Sequence, residues 1–371
     1  MLKLDIETIV EPFVSKKRNI NLVVGVINGD LHSILSFTGF SEPSSSTPDG
    51  DTLFEIGSIT KVFTSTLLSI LVEDGQLELK DFIGNLITKY EHLPRNITLE
   101  SLATHTSGLP RLPSNLMKSA QKDPENPYAA YTIENLDEYL RSYDGKNVKT
   151  LGTISYSNLG VGLLGHILAH HLEMSYEEAI VSRICNPLTL SNTRITLTDE
   201  QQARLAIGRS SKGQPVKNWD LPTFAAAGAL RSTANDLLKF LAANLKPNQT
   251  PFEQAINNMH KIRCEQFPPV EGIPKLLSGV MKLFPNEPLV LTQHRGIALG
   301  WFITHLPSVQ KDVYWHNGGT GGYRSFYGFV KDTCTGVVIL SNHANGIFEM
   351  LNKYSVDTIG LKILEKINSN N

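Results

Sequence analysis

The sequence predicts a mixed α/β (α+β) protein, in which an antiparallel sheet flanked by terminal helices carries a mostly helical insertion. Three observations support this prediction. Two β-rich runs follow an amphipathic segment near the N-terminus, and short β-rich runs separated by turn residues return after about residue 290. Between them, segments of helical period alternate with loops rich in proline and glycine. A helical segment closes the chain, so both ends are expected to share one discontinuous sheet.

The first predicted element is an amphipathic helix over residues 2–14, whose apolar side chains recur with helical spacing on one face. Two β-rich runs follow, Leu22–Ile27 and Leu31–Phe37, with Asn28-Gly29 at the junction. An Asn-Gly pair between two such runs is the strongest short-range signal for a β-hairpin. Residues 41–50 are rich in serine and proline and are predicted to form a surface loop.

A long helix is predicted to begin near Ser58 and to end before Gly75. It is apolar on most sides, so we expect it to be buried at the centre of the protein. The region that follows is predicted to be mostly helical. Its clearest helical segments are Asn135–Tyr143, Leu159–Leu172, Ser175–Ile184 and Thr233–Asn244, and its loops include Pro110–Pro127 and Ser210–Pro222.

The C-terminal part is predicted to supply the remaining strands and a closing helix. The strands are Ile297–Ile303, Val313–His316, Ser325–Val330 and Thr335–Ser341, and the helix is Ile347–Ile367. A chain of 371 residues suggests two domains, or one large domain with an insertion. We therefore predict a discontinuous sheet domain over residues 1–75 and 286–371 and an inserted helical domain over residues 76–285.

The composition excludes several classes of protein. Lysine plus arginine number 34 and aspartate plus glutamate 36, and this near balance argues against a nucleic-acid-binding protein. A hydrophobic content of 41% is enough for a globular core. The three cysteines, Cys185, Cys264 and Cys334, are far apart and form no Cys-x-x-Cys, so we expect neither a disulfide framework nor a zinc site.

The N-terminus lacks the basic and apolar regions of a signal peptide, and no apolar run is long enough to span a membrane. We expect a cytoplasmic protein if Met1 is the native start, and a periplasmic or extracellular one if a signal peptide was removed. The sequence leaves the oligomeric state open.

Ser58 and Lys61 lie three residues apart where the long apolar helix begins. Residues i and i+3 of a helix share a face, so the two side chains can touch. Free backbone N–H groups in the first turn favour negative charge on the serine oxygen. A lysine with a lowered pKa can then take the serine proton. Taken alone, the pattern equally fits a serine cap followed by a solvated lysine, so partners elsewhere in the chain decide its meaning.

Two further motifs lie where they can contribute to a common site. Tyr156 and Asn158 lie two residues apart in a loop before a predicted helix. His316 ends a predicted strand, and the glycines after it, beginning with Gly318 and Gly319, allow a ligand to approach the backbone closely.

In their order and rough spacing, these three motifs resemble those of the serine β-lactamase and penicillin-binding protein superfamily. The motifs are Ser58-x-x-Lys61, Tyr156-x-Asn158 and His316-x-Gly318. Tyr-x-Asn in place of Ser-Asp-Asn resembles the class C branch, which includes β-lactamases, D-Ala-D-Ala carboxypeptidases, D-aminopeptidases and esterases. The resemblance covers nearly the whole chain and implies a β-lactamase/transpeptidase-like fold, with the active site in the groove between the two domains.

The resemblance also implies a role for each matched side chain. Ser58 is the nucleophile that forms an acyl-enzyme, and Lys61 lowers its proton affinity and shuttles protons. Tyr156 is the general acid or base, and nearby cations are expected to lower the pKa of its phenol. Asn158 is expected to orient Lys61 and the amide of the substrate.

The glycines and the histidine complete the implied site. The backbone N–H groups of Ser58 and Gly319 form the oxyanion hole, next to Gly318. His316 stands where class C β-lactamases carry a lysine. It is expected to give positive charge or hydrogen bonds to Tyr156 and a substrate carboxylate, and to titrate near neutral pH.

Two departures from the classical β-lactamases concern the substrate. Histidine at position 316, with Asn317 in place of a threonine, resembles the peptidase and esterase members. Class C β-lactamases also place a glutamine near the position of Leu112 in this chain. Both differences weigh against antibiotic hydrolysis as the physiological role.

Other residues near these motifs have simpler interpretations. His105 is expected to anchor a loop by hydrogen bonds, and His170-His171 lacks the spacing of a metal site. The sequence leaves open whether Trp219, Tyr323 and Arg324 line the cleft or only pack.

The sequence therefore predicts a serine hydrolase that works through an acyl-enzyme without a metal or cofactor. Its substrate is a small molecule or short peptide with a reactive carbonyl: a β-lactam, a D-amino-acid peptide or an ester. The alternative is a non-hydrolytic penicillin-binding or scaffold protein that is acylated but turns over poorly.

Overall fold

The computed structural model describes residues 2–40, 47–143, 145, 152–265, 294–345 and 355–369. The strands are β1 (Asn21–Asn28), β2 (Leu31–Thr38), β3 (Phe54–Glu55), β4 (Arg231–Ser232), β5 (His294–Ala298), β6 (Trp301–Leu306), β7 (Lys311–Gly319), β8 (Arg324–Val330) and β9 (Thr335–Ser341).

Most of the described helices lie between β2 and β5. The helices are α1 (Leu2–Val14), α2 (Thr60–Glu73), α3 (Ile83–Leu86), α4 (Leu99–Ala103), α5 (Leu116–Ala120), α6 (Ile133–Arg141), α7 (Asn158–His171), α8 (Tyr176–Ile180), α9 (Asp199–Ala203), α10 (Ala225–Gly228), α11 (Ala234–Leu245), α12 (Glu253–Met259) and α13 (Val356–Asn368). Single 3₁₀ turns form at Gly57–Ile59, Thr88–Tyr90 and Pro247–Gln249. Among the described helices, none is both long and apolar enough to cross a membrane.

Seven strands form one antiparallel sheet in the order β2-β1-β9-β8-β7-β6-β5. The N-terminal hairpin is confirmed: Asn28 pairs with Leu31 across a two-residue turn, and Gly29 has a φ of 62°. Strand β1 also pairs with β9, so the two ends of the chain share the sheet. The predicted fold class, with one discontinuous antiparallel sheet, is therefore confirmed.

One predicted strand is wrong in detail. The run 297–303 is a hairpin, in which β5 and β6 pair across a turn at Leu299-Gly300. Gly300 has a φ of 75°, and a Cβ there would lie 2.8 Å from Ser65 Oγ. The unbroken apolar pattern concealed this turn, because both strands and the turn residue Leu299 are buried.

The predicted helices are present with small shifts at their ends. Helix α1 has the predicted bounds, whereas the segment predicted at 175–184 continues after α8 as a π-helical turn at Val181–Cys185. Several predicted segments lie partly outside the described residues: 41–46 of the surface loop, 266–285 of the insertion, and 347–354 of the closing helix. The boundary at residues 285 and 286 lies there too, so the domain limits stay a prediction.

The sheet has an apolar core on each face, and the alternation along β1 divides them. Leu22, Val24 and Val26 pack with α1 and α13, whereas Val23 and Ile27 belong to the larger core on the other face. Helix α11 covers that second face, where it packs against β1, β8 and β9. Part of the predicted insertion therefore lies directly on the sheet.

Helix α2 lies inside the larger core. Every residue from Thr60 to Leu71 is buried, as the sequence predicted for a helix that is apolar on most sides. Phe240 of α11 stacks on Phe63 of α2 with 4.2 Å between ring centroids, and also on Tyr327 of β8 at 6.0 Å. The packing of α11 between sheet and helix fixes α2 relative to the strands.

Two glycines with positive φ provide a matched test of the crowded turn at Gly300. A Cβ at Gly29 would meet nothing within 4 Å, so Gly29→Ala is expected to lose about 1 kcal/mol of unfolding free energy from backbone conformation alone. Gly300→Ala adds a clash with Ser65, so we expect about 1 to 3 kcal/mol of further loss. Urea denaturation of both variants measures the difference, and equal losses would contradict this packing.

Candidate active site

Ser58 lies in the 3₁₀ turn Gly57–Ile59, which leads directly into α2. The turn is pressed against the end of β7. Gly57 has a φ of 51°, and a Cβ on it would lie 2.5 Å from the Gly319 nitrogen. A Cβ on Gly318 would lie 2.0 Å from the Ile56 carbonyl oxygen. These glycines therefore allow the strand backbone to reach the turn that carries Ser58.

The contact between turn and sheet is held by a buried hydrogen bond. Ser325 Oγ donates to the Ile56 carbonyl at 2.8 Å, and Ser325 is the register partner of Gly318 on the neighbouring strand. The Gly319 backbone is thereby brought next to Ser58. The structure thus brings together Ser58, Gly318 and Gly319 as the sequence predicted.

Lys61 lies one turn after Ser58 and is 1% exposed. Its Nζ donates to Ser58 Oγ at 2.9 Å and to the Ala227 carbonyl at 2.6 Å. Burial lowers the pKa of Lys61 well below its usual range, and the charge of Arg111 lowers it further. Burial thus favours the neutral form of the amine, whose lone pair can accept the Ser58 proton.

Tyr156 is held by the loop that contains His105. The Ser155 N–H donates to the His105 carbonyl at 2.8 Å, and the Ser157 N–H donates to His105 Nδ1 at 3.2 Å. The rings of His105 and Tyr156 lie 4.4 Å apart between centroids. The anchoring role predicted for His105 is confirmed, because its hydrogen bonds hold the backbone on both sides of Tyr156.

The ionisation predicted for Tyr156 is wrong. Burial raises the pKa of its phenol to about 12, although Arg111 and the Ser58 hydroxyl each lower it in part. Tyr156 is therefore a protonated phenol at neutral pH, and its buried hydroxyl has no hydrogen-bond partner among the described residues.

Asn158 is the first residue of α7, and its backbone N–H donates to the Arg111 carbonyl at 3.0 Å. Its Oδ1 is buried without a hydrogen-bond partner in the described part of the chain. The predicted direct contact that orients Lys61 is not formed, because Lys61 donates to the Ala227 carbonyl instead. The sequence offered no signal for Ala227, since a backbone carbonyl belongs to every residue.

His316 lies on β7 and is 1% exposed. Its Nδ1 donates to the Asn317 carbonyl at 2.6 Å, which leaves Nε2 as an acceptor, and Nε2 is buried without a partner among the described residues. Burial lowers the pKa of His316 to about 3. Of the two roles predicted for His316, positive charge is therefore wrong and hydrogen bonding stays a prediction, and the predicted titration near neutral pH is wrong.

Arg111 is a site residue that sequence reasoning missed. Its guanidinium carbon lies 4.9 Å from the centroid of the Tyr156 ring. The neighbouring Leu112, which drew attention as the position of a glutamine in relatives, packs against the larger core. The available signal was a positively charged side chain in the predicted loop 110–127. Its contact with Tyr156 depends on the tertiary structure and could not be predicted from the sequence.

The cavity beside Ser58 is narrow, with a volume of about 30 Å³. Its lining includes Ser58, Tyr128, Asn158, Trp219 and Gly319. Trp219 therefore lines the cleft.

Tyr323 and Arg324, whose roles the sequence also left open, pack in the interior. Tyr323 is fully buried and donates to the Ala206 carbonyl at 2.5 Å, and Arg324 donates to the Thr320 carbonyl at 2.6 Å.

An antiparallel sheet with a buried Ser-x-x-Lys pair at the end of an interior strand defines a class of serine hydrolases, and comparisons place the chain within it. The family model described as Beta-lactamase matches residues 6–358, so the chain belongs to the Beta-lactamase family. The chain is accordingly a serine hydrolase of the β-lactamase type.

Individual relatives match nearly the whole chain. A beta-lactamase of Pseudomonas fluorescens is 25% identical over 353 residues, with 91% of this chain and 92% of the relative covered. One from Providencia stuartii is 26% identical over 360 residues and covers 91% and 86%. The crystal structure of a class C beta lactamase from Rhodobacter sphaeroides has a TM-score of 0.74, with 24% identity and 98% of both chains covered. This last likeness shows the shared fold.

The protonation state of His316 can be measured directly. Because its pKa lies near 3 in the folded protein, its imidazole is expected to stay neutral from about pH 5 to about pH 8. Nitrogen-15 NMR of the histidine side chains, with His316→Asn to assign the resonance, should show an invariant neutral tautomer protonated at Nδ1. A midpoint near the usual histidine value would contradict the burial argument.

Proposed function

We propose that the protein hydrolyses a carbonyl substrate through an acyl-enzyme on Ser58. The observation that supports this most strongly is the 2.9 Å contact between Lys61 Nζ and Ser58 Oγ, made by an amine that burial keeps neutral. A neutral amine within hydrogen-bond distance is a competent general base for a serine hydroxyl. Ser58 and Lys61 together therefore suffice to generate the nucleophile.

In the proposed acylation, Lys61 takes the Ser58 proton while Oγ attacks the substrate carbonyl. The developing oxyanion accepts hydrogen bonds from the backbone N–H groups of Ser58 and Gly319. The close approach of the two backbone segments supports this assignment, because it requires glycine at both Gly57 and Gly318. Gly318 thus serves the oxyanion hole through its lack of a side chain.

Collapse of the tetrahedral intermediate requires a proton for the leaving group. Tyr156 is a protonated phenol in this structure, so we assign it to donate that proton and to be reprotonated from Lys61. The same pair then acts in reverse in deacylation, when a water attacks the ester of Ser58. The order of proton transfers differs from the sequence-based expectation, in which Tyr156 began with a lowered pKa.

Two unpartnered acceptors complete the proposed site. Asn158 Oδ1 is assigned to a substrate N–H, and His316 Nε2 to a hydroxyl donor such as Tyr156, whose ring centroid lies 6.2 Å from the imidazole. Buried acceptors that lack partners gain stability when a ligand supplies a donor. His316 therefore supports the site as a neutral acceptor.

The proposed substrates are a β-lactam, a D-amino-acid peptide or an ester. The named beta-lactamase relatives support a β-lactam. The neutral His316 gives no positive charge to the carboxylate of a β-lactam, which leaves an ester or a peptide as possible substrates beside it. We propose that the site lies in a groove, since Ser58 and Gly319 come from the predicted sheet domain and Asn158 and Trp219 from the insertion.

Ser58→Ala is expected to abolish hydrolysis of nitrocefin and of 4-nitrophenyl esters while the fold persists, because it removes the hydroxyl that the proposed mechanism acylates. Ser65→Ala, which removes a buried hydroxyl from the same helix, is the matched control and should retain activity. Rates are measured with both substrates, and circular dichroism checks the fold. Normal turnover by Ser58→Ala would overturn the mechanism.

Mass spectrometry of the intact protein separates hydrolysis from the non-hydrolytic alternative. After mixing with penicillin or a short-chain ester, a hydrolase returns to its unmodified mass as the substrate is consumed. A persistent adduct on Ser58 with both compounds would favour the penicillin-binding or scaffold alternative.

A further inference from the structure

We propose that Arg111 binds a carboxylate on the acyl portion of the substrate, so that the site selects anionic acyl donors. The inference rests on the proposed acyl transfer at Ser58 and names the chemical class of its substrate. It is carried by the position of the Arg111 guanidinium, by the absence of a counter-charge near it in the described residues, and by the neutrality of the neighbouring bases.

The backbone of Arg111 is fixed relative to the site. Its carbonyl accepts hydrogen bonds from the N–H groups of Asn158 and Leu159 at 3.0 and 3.2 Å. These are the first two residues of α7, so the loop and the helix that presents Asn158 form one unit. The guanidinium carbon then lies 4.9 Å from the centroid of the Tyr156 ring, where a cation is attracted to the ring face.

The charge of Arg111 reaches the cavity beside Ser58. Burial raises the pKa of Tyr128, which lines that cavity, and the charge of Arg111 lowers it in part. The same charge lowers the pKa of Lys61, after the larger effect of burial. Arg111 is therefore close enough to act both on Lys61 and on Tyr128, which lines the cavity.

No carboxylate among the described residues pairs with Arg111, whereas three other arginines of the chain have such a partner. Arg231 lies 3.7 Å from Glu55, Arg263 lies 3.5 Å from Glu100, and Arg295 lies 2.7 Å from Asp312. A half-buried guanidinium on the ring of Tyr156, with no such partner, has unused donors and unbalanced charge. An anionic ligand would satisfy both.

The other bases of the site do not compete for that anion. Burial keeps His316 neutral at neutral pH and favours the neutral form of Lys61, so both are disfavoured as cationic partners of a substrate carboxylate. Arginine stays charged throughout the physiological range, and its planar fork matches a carboxylate with two parallel hydrogen bonds. The anion-binding role expected of position 316 therefore falls to Arg111.

The test compares two esters that differ in one terminal group: mono-4-nitrophenyl glutarate, which carries a carboxylate, and 4-nitrophenyl valerate, which does not. The wild-type protein is expected to have the higher kcat/KM for the glutarate ester. Arg111→Gln should lower the ratio of the two kcat/KM values by about ten- to a hundredfold, mainly through KM for the glutarate ester. Arg111→Lys keeps the charge and should retain an intermediate ratio.

Lys118→Ala is the matched control, because it removes one positive charge from an exposed side chain of the same segment. It should leave the ratio unchanged. An equal loss with both esters in Arg111→Gln would overturn the proposal, since it would show that Arg111 acts only through the pKa of Lys61 or the placement of α7. Equal kcat/KM values in the wild-type protein would also overturn it.

A binding measurement keeps the test independent of turnover. Calorimetry of mono-4-nitrophenyl glutarate with Ser58→Ala should show binding that Ser58→Ala/Arg111→Gln loses by at least about tenfold. If the wild-type protein hydrolyses neither ester but this difference is found, the acyl-enzyme proposal fails and the carboxylate site stands. Equal binding by the two variants overturns the carboxylate site alone.

Discussion

The burial of the Lys61 amine is the constraint on which the rest of the site depends. An ammonium ion removed from water without a counter-charge is strongly destabilised, and the group responds by losing its proton. The causes that act on Lys61, burial and the like charge of Arg111, both favour the neutral form. The protein thereby keeps a free base 2.9 Å from Ser58 Oγ, on a helix that the core surrounds on all sides.

The elements around Lys61 exclude water from its amine and hold the amine in line with Ser58. Glycines at positions 57 and 318 let β7 close over the turn that carries Ser58, and Gly300 lets the β5–β6 turn pack beside Ser65 on α2. From the other side, the His105 hydrogen bonds hold the segment that presents Tyr156. Three separate stretches of sequence thus contribute backbone contacts to one proton-transfer site.

The parts of this arrangement that follow from local geometry could be predicted from the sequence alone. The i, i+3 spacing predicted the contact between Ser58 and Lys61, and Asn28-Gly29 predicted the first hairpin. Prediction from the sequence failed where the ionisation of a side chain depends on burial by residues that are distant in the chain. The phenol of Tyr156 and the imidazole of His316 were expected to carry or share charge, and the core instead holds both neutral. Arg111 escaped notice because only the folded loop brings it to Tyr156.

The central claim is that Lys61 is a neutral amine in the resting protein. NMR of protein labelled at the lysine Cε and Nζ positions, with Lys61→Met to assign the signal, measures its titration directly. The account predicts the shifts of a free amine at neutral pH, with a midpoint well below the ordinary lysine value of 10.5. A Lys61 signal that remains that of an ammonium ion up to that ordinary value would contradict the account, since Ser58 would then have no base beside it.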